Sequence, residues 1–356
     1  MNLEAVERVA EAVLYEGYML YPYRPSSVKN QQRWNFGVLC PRSYCEQEEG
    51  SEAWLMRTEC LLRPGPATLL TVKVRFLQIV QRSIGRLKTP GVELPEGVTP
   101  EFERVDRLEV AGRSFLPWQE AVEREIVSAP VEPSALSSRP VMHFAFPGGT
   151  HFESLRDEDQ QTVGVIVRES QPLFGSVEFF AQPAAAAEKG VIKISVLIRN
   201  LAPFALREDV GRDEALMFSL VSVHTILGVD CGEFVSLLDP PEGLAALAAS
   251  CANTGTWPVL AGERGKAQAM LSSPIILYDY PEIAPESAGN LFDGTEIDEI
   301  LSLRILTLTD EEKREMRQSD DRAKAILERT ETMPEEQFMK LHGVLRGIAP
   351  AKEEAR

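Results

Sequence analysis

The strongest constraint on the fold is a stretch of alternating residues between Trp54 and Ile84. One face of its first part carries Trp54, Met56, Thr58, Cys60 and Leu62, and one face of its second part carries Leu70, Val72, Val74, Phe76 and Gln78. The two parts are separated by the turn sequence Pro64-Gly65-Pro66. A period of two with a turn between the halves predicts a pair of antiparallel strands.

Six further segments of the first 205 residues have strand-like patterns with turn residues between them. They are Phe102–Val110, Ala121–Ser128, Val141–Phe146, Thr162–Arg168, Gly175–Ala181 and Val191–Asn200. This spacing predicts an antiparallel sheet or a sandwich. Apolar residues at helical spacing from Leu3 to Leu14 predict an amphipathic helix before the sheet.

After about Pro203 the pattern changes, and we expect mainly helices. Helices are predicted over Gly211–Leu227 and Pro240–Ala252, a buried strand over Met270–Leu277, and helices again from about residue 292. Thr309-Asp-Glu-Glu312 has the capping-box pattern that begins a helix. The sequence therefore predicts an α+β protein, with a β-rich domain over residues 1–205 and a mainly helical domain over residues 206–356.

Composition excludes some classes of function. The formal net charge is −17 and the pI is about 4.9, which argues against nucleic acid as the partner. The sequence contains no apolar run of the roughly 18–20 residues that span a bilayer. The N-terminus lacks the pattern of a signal peptide, so we expect a cytoplasmic protein with its five cysteines reduced.

The segment from Gly17 to Tyr44 contains no acidic residue, although the chain as a whole is acidic. Its rings and cations include Tyr21, Tyr23, Arg24, Arg33 and Trp34. Such side chains bury a large area at modest entropy cost, and they often form the centre of a protein interface. The alternative is that the rings pack under the sheet while the arginines pair with acidic residues. We predict these five residues to bind a partner protein.

A second candidate surface is the loop from Tyr278 to Phe292, which is rich in proline, tyrosine and acidic residues. Proline-rich aromatic loops are pre-organised for docking. We predict that Tyr278, Tyr280 and Pro281 contact the same partner. Binding of a cation by the acidic residues of this loop is an alternative.

The sequence offers no motif that names a reaction. It contains no glycine-rich nucleotide motif and no nucleophile elbow, so we predict no catalytic residues, and we favour a protein that is not an enzyme while the question stays open. A hydrolase that uses His151 with Asp157 or Asp159 is the last-ranked alternative. Cys40, Cys45 and Cys60 lie within 21 residues of sequence and could converge on zinc or an iron–sulfur cluster. Apart from that alternative, no cofactor is expected.

Several strings resemble an uncharacterised bacterial protein family whose genes lie among those for nickel–iron hydrogenases and hydrogenase-maturation proteins. These strings are Leu20–Arg24, Lys29–Gly37, Gly232–Pro241, Asn253–Gly262 and Ser272–Met316. The resemblance implies a cytoplasmic accessory or assembly factor that binds a hydrogenase subunit or a maturation factor. The resemblance does not assign a function to any residue of this chain. The alternative function is a maturation protein that carries iron–sulfur or zinc on the three cysteines.

Overall fold

The computed structural model describes residues 3–14, 35–48, 52–91, 99–183, 190–207, 210–282, 305, 308–319 and 321–332. More of these residues lie in β-strands than in helices. The strands before residue 140 are β1 (Leu55–Pro64), β2 (Leu70–Leu87), β3 (Phe102–Val105), β4 (Leu108–Val110), β5 (Arg113–Phe115) and β6 (Trp118–Val127). The later strands are β7 (Val141–Phe146), β8 (Gly149–Arg156), β9 (Thr162–Ser170), β10 (Leu173–Pro183), β11 (Ile192–Asn200), β12 (Val221–Val229), β13 (Gly232–Val235), β14 (Trp257–Ala261) and β15 (Ala269–Ser273).

Helices occupy a smaller part of the described chain. They are α1 (Glu4–Leu14), α2 (Arg42–Gln47), α3 (Arg212–Leu216), α4 (Ala245–Ala249), α5 (Asp310–Ser319) and α6 (Asp321–Thr332), with a 3-10 helix at Pro133–Ser138. Helix α1 confirms the amphipathic helix predicted at the N-terminus. At the start of α5 the backbone N–H of Thr309 donates to Glu312 Oε2 and the N–H of Glu312 donates to Thr309 Oγ1, which confirms the capping box.

The strands form two large antiparallel sheets. The first sheet has the order β13-β1-β11-β10-β7, and the second has the order β14-β15-β12-β2-β9-β8. Strand β2 is long enough to pair with two strands along each edge. It pairs with β12 and then β9 on one side, and with β6 and then β3 on the other. Strands β4 and β5 form a separate hairpin.

The two sheets pack face to face around the largest hydrophobic cluster. Phe76 lies at its centre, fully buried, with its ring centroid 5.7 Å from that of Phe144 and 5.8 Å from that of Phe146. Helix α1 covers the outer face of the second sheet, where Val6, Val9, Ala10 and Val13 pack against β12, β14 and β15. Both surfaces of this part of the sheet are therefore buried.

The predicted α+β class, with a helical C-terminal half, is wrong. The structure is mostly β-sheet, and its helices are scattered along the chain. Within Gly211–Leu227 the helix ends at Leu216, and Val221–Val229 is a strand in which every residue is buried. A strand that is covered on both faces has no polar alternation, so its apolar residues also match a helical period.

Strands from both predicted domains belong to the same sheets. β13 pairs with β1 in the first sheet, and β12 pairs with β2 in the second. Residues from before and after position 205 also share the central hydrophobic cluster. No described helix is both long and apolar enough to cross a membrane.

Candidate partner-binding surface

Gly37, within the segment Gly17–Tyr44, lies in close contact with Pro274, which precedes the loop Tyr278–Phe292. Gly37 has a φ of +55°, and a Cβ placed on it would lie 2.6 Å from Pro274 Cγ and 2.7 Å from Pro274 Cβ. Both the backbone conformation and the lack of space require glycine at this position. Two segments separated by more than 200 residues are thus brought together.

A bulge in strand β12 holds the first of these segments in place. The register of β12 with β2 shifts between Val221 and His224, and Ser222 within the bulge has a φ of +54°. The N–H of Ser222 donates to Phe36 O at 3.2 Å, and the N–H of Val223 donates to Gly37 O at 3.0 Å. A bulge turns backbone groups away from the regular ladder, and here they bind Phe36 and Gly37 instead.

The buried side chain of His224 links this bulge to the end of strand β15. Its Nδ1 atom lies 2.7 Å from Ser222 O, and its Nε2 atom lies 3.1 Å from Ser273 Oγ. A carbonyl oxygen only accepts, so Nδ1 carries the proton and Nε2 accepts from the Ser273 hydroxyl. Ser273 Oγ in turn accepts the N–H of Ile275 at 3.1 Å. One chain of hydrogen bonds therefore connects Phe36 to Ile275.

His224 is neutral at neutral pH. Complete burial, together with the charge of nearby Arg75, lowers its pKa to about 4, although the bond to Ser222 O opposes both effects. A neutral imidazole with one donating and one accepting nitrogen matches the two partners that it has. We infer a structural role for His224, because both of its nitrogens are already occupied.

The chain after Ile275 runs along the open edge of β14. The N–H of Tyr280 donates to Leu260 O at 2.6 Å, and the N–H of Leu260 donates to Asp279 Oδ1 at 2.8 Å. The other carboxylate oxygen of Asp279 accepts the Ser236 hydroxyl. Leu277 is buried beneath α1. The backbone around Tyr278 is therefore fixed on both sides.

Four large apolar side chains project into solvent around these contacts, and we call them the apolar surface: Phe36, Trp257, Ile276 and Tyr278. Their exposed fractions are 39%, 45%, 72% and 52%. Trp257 is the cross-strand partner of Ser273, and Phe36 precedes the glycine that contacts Pro274. Exposed apolar groups on neighbouring, well-fixed segments are typical of a protein interaction site.

The predicted partner-binding residues have different positions. Tyr278 is exposed and belongs to the apolar surface, whereas Tyr280 is half-buried against the central cluster and Pro281 is buried. Burial also raises the pKa of the Tyr280 hydroxyl. The other five predicted residues lie outside the described residues: Tyr21, Tyr23, Arg24, Arg33 and Trp34.

Sequence reasoning did not assign a binding role to Trp257, Ile276 or Phe36. Trp257 stands directly before Pro258, and a proline within a strand indicates an edge strand, which is the position of β14. No local signal indicates His224 or Ser273, because their contact depends on strand pairing.

The three candidate metal-binding cysteines do not form one group. Cys40 and Cys45 belong to a cluster around α2 and α3, while Cys60 faces the core between the sheets. The interaction between the two thiols lowers the pKa of Cys40 and raises that of Cys45. Burial raises the pKa of Cys60. Within the described ranges, no three His, Cys, Asp or Glu side chains are placed to hold a metal ion.

Two residues of the hydrolase alternative lie in a strand and in the turn that follows it. His151 is exposed on β8, opposite Arg168 of β9. The carboxylate of Asp157 accepts the backbone N–H of Gln161 in the turn that follows β8.

No family model matches the chain, and no curated protein is similar to it.

Proposed function

We propose that this protein is a cytoplasmic accessory factor that binds another protein through the apolar surface. The observation that carries the proposal is the exposure of Phe36, Trp257, Ile276 and Tyr278 on segments that the core holds together. Tryptophan and tyrosine are enriched at the centres of interfaces, where they contribute large contact areas. A binding role also agrees with the lack of a catalytic motif in the sequence.

The way in which the apolar surface is held favours binding. The hydrogen bonds of Ser222, His224 and Ser273 fix the backbone on both sides of Pro274. A pre-organised surface loses less conformational entropy when a partner binds, so more of the contact energy remains as affinity. The same residues on a flexible loop would bind more weakly.

For the partner, we propose a subunit of a nickel–iron hydrogenase or one of its maturation factors. The support for this choice is the resemblance of the sequence strings named above, three of which include residues of the apolar surface: Lys29–Gly37 includes Phe36, Asn253–Gly262 includes Trp257, and Ser272–Met316 includes Ile276 and Tyr278. An assembly factor of this kind requires a stable surface more than an active site.

The test uses purified full-length protein and a double variant, Ile276→Asp/Tyr278→Ala. Affinity purification from the native host, followed by mass spectrometry, identifies the partner, and titration calorimetry with the purified partner measures the Kd. We expect the double variant to raise the Kd at least about 30-fold, which corresponds to about 2 kcal/mol.

Val127→Asp is the matched control, because Val127 is also an exposed apolar residue (48%) and lies at the end of β6. It should leave the Kd unchanged, and circular dichroism should show that both variants fold. An unchanged Kd in the double variant would overturn the apolar surface as the binding site. A verified partner unrelated to hydrogenase would overturn only the choice of partner.

A further inference from the structure

A cavity of about 660 Å³ lies at one end of the sandwich, away from the residues of the apolar surface. It is bounded by the turn between β1 and β2, by the 3-10 helix Pro133–Ser138, and by the ends of β10 and β11. Pockets for small molecules have volumes of roughly 300–1,000 Å³. The cavity is therefore large enough for a small organic molecule.

Small side chains leave this space open. Along β10 the inward-facing residues change from Phe179, which fills the central cluster, to Ala181, which lines the cavity. On the opposite wall the β1–β2 turn contributes Gly65 and Ala67. Larger residues at these positions would close the gap between the sheets.

Three prolines make the walls rigid and apolar. Pro64, Pro133 and Pro183 all line the cavity. A proline ring has a fixed φ and no N–H, so it offers hydrophobic contact without a backbone donor. Walls of this kind suit an aliphatic or aromatic body and provide little to bind an anion.

Most hydroxyl groups in the cavity already have internal partners. Thr68 Oγ1 donates to the carbonyl oxygens of Gly65 and Cys231, at 3.0 and 2.5 Å. Ser137 Oγ donates to Ser134 O at 3.4 Å. These hydrogen bonds stabilise the turn and the 3-10 helix. The protons of these hydroxyl groups are therefore already donated to carbonyl oxygens of the protein.

Two larger polar side chains also line the cavity, the amide of Gln182 and the carboxylate of Glu132, and the carboxylate accepts the Ser134 hydroxyl at 3.2 Å. Glu132 is the one charged side chain among the described residues that line the cavity, and none of the ion pairs of the described chain includes it. A carboxylate beside apolar walls selects for a ligand that brings its own cation.

We propose that this cavity binds an apolar amine, with the ammonium group at Glu132 and the hydrocarbon body against the proline and alanine walls. The net charge of −17 adds a general attraction for cations. The proposal shares no residue with the apolar surface and stands independently of it.

The test is a ligand-observed NMR titration of the full-length chain at pH 7 with three probes of similar shape: 2-phenylethylamine, 2-phenylethanol and 3-phenylpropionate. We expect the amine to bind with a Kd of about 1–10 mM, the alcohol more weakly, and the carboxylate most weakly. Glu132→Gln should weaken the amine about three- to fivefold, the range for a solvent-exposed ion pair, and should leave the alcohol unchanged.

A second variant, Ser137→Trp, places a large ring at the cavity and should abolish binding of all three probes. Equal affinity of the amine and the alcohol for the unaltered protein would overturn the proposal. Amine binding that survives Ser137→Trp would also overturn it, because the probe would then lie elsewhere. The proposal would be equally wrong if the amine did not bind at about 10 mM.

Discussion

The Nε2 atom of His224 lies 3.1 Å from the Oγ atom of Ser273, and this contact joins the middle of strand β12 to the end of β15 beneath helix α1. On its other side His224 binds the carbonyl of Ser222, whose own N–H binds Phe36. The histidine therefore determines how two parts of the apolar surface are placed relative to each other. Its protonation would remove the acceptor that Ser273 requires.

The first prediction concerns stability between pH 4 and 6.5. In the unfolded chain the pKa of His224 returns to about 6.5, whereas in the folded chain burial holds it at about 4. Between these values the unfolded state binds more protons, so stability is present above pH 6.5 and falls as the pH drops to 4. The loss is on the order of 3 kcal/mol. Urea denaturation at a series of pH values measures it.

His224→Gln is the control for this titration. A glutamine does not titrate, so the variant should lose the pH dependence between 6.5 and 4, although it is less stable at pH 7 because its geometry fits less well. A stability of the original protein that stays constant from pH 7 to 4.5 would contradict the assignment. The carboxylates of Asp and Glu titrate mainly below this pH range, so they contribute little to a change of stability within it.

The second prediction compares two glycines that both have positive φ angles. Gly37→Ala places a methyl group 2.6 Å from the Pro274 ring, whereas Gly112→Ala, with a φ of +70°, meets no atom within 4 Å. Gly112→Ala should cost only the backbone strain, about 1 kcal/mol. Gly37→Ala should cost at least about 2–3 kcal/mol, because Pro274 must move as well. Equal losses in urea denaturation would show that the Pro274 contact is unimportant.

The third prediction concerns Glu59, a buried carboxylate on the outer face of the first sheet. It accepts Arg57 Nη2 at 2.5 Å, Lys193 Nζ at 3.3 Å and the N–H of Ala252 at 2.8 Å. Burial alone would raise its pKa, but the Ala252 N–H and the charges of Lys193 and Arg57 outweigh burial and hold the pKa below its usual range. The carboxylate thus joins β1, β11 and the loop before β14.

Glu59→Gln should destabilise the protein by about 2–3 kcal/mol, because it leaves two cations without their counter-charge. The matched control is Glu46→Gln, which breaks the ion pair with Arg42 on the surface of α2 and should cost less than about 0.5 kcal/mol. Chemical denaturation at pH 7 measures both. A loss for Glu59→Gln as small as that of the control would contradict a structural role.

The fourth prediction concerns the capping box of α5. Thr309→Ala removes the hydroxyl that accepts the N–H of Glu312, and should weaken the first turn of the helix by about 1 kcal/mol. Amide hydrogen exchange of residues 310–314 should become faster. Thr332→Ala is the comparison, because that hydroxyl donates to Glu328 O at the far end of α6. It should leave exchange at the start of α5 unchanged.

The local pattern of the sequence was enough to predict many elements. A strand-like pattern predicted β7 at Val141–Phe146, and a 3.6-residue period predicted α1. In each of these elements one face is more buried than the other, so the residue types repeat with the period of the element. The pattern gave a wrong prediction for Val221–Val229. This strand is buried on both faces, so its sequence does not alternate between apolar and polar residues.

The candidate site was only partly accessible to such reasoning. An unusual composition predicted a binding role for the segments that contain Phe36 and Tyr278, and the structure shows only that both side chains are exposed. The sequence could not indicate that Tyr280 and Pro281 turn inward, because their burial follows from the pairing of Tyr280 with Leu260 across a loop.

The sequence by itself determined where chain segments alternate, where helices begin, and which segments carry rings and prolines, because each of these depends on near neighbours. Only the tertiary structure decided that Gly37 meets Pro274, that His224 reaches Ser273, and that Cys60 lies apart from Cys40 and Cys45. These relationships depend on strand order and on a one-residue bulge in β12. Non-local pairing of that kind leaves no period in the sequence to detect.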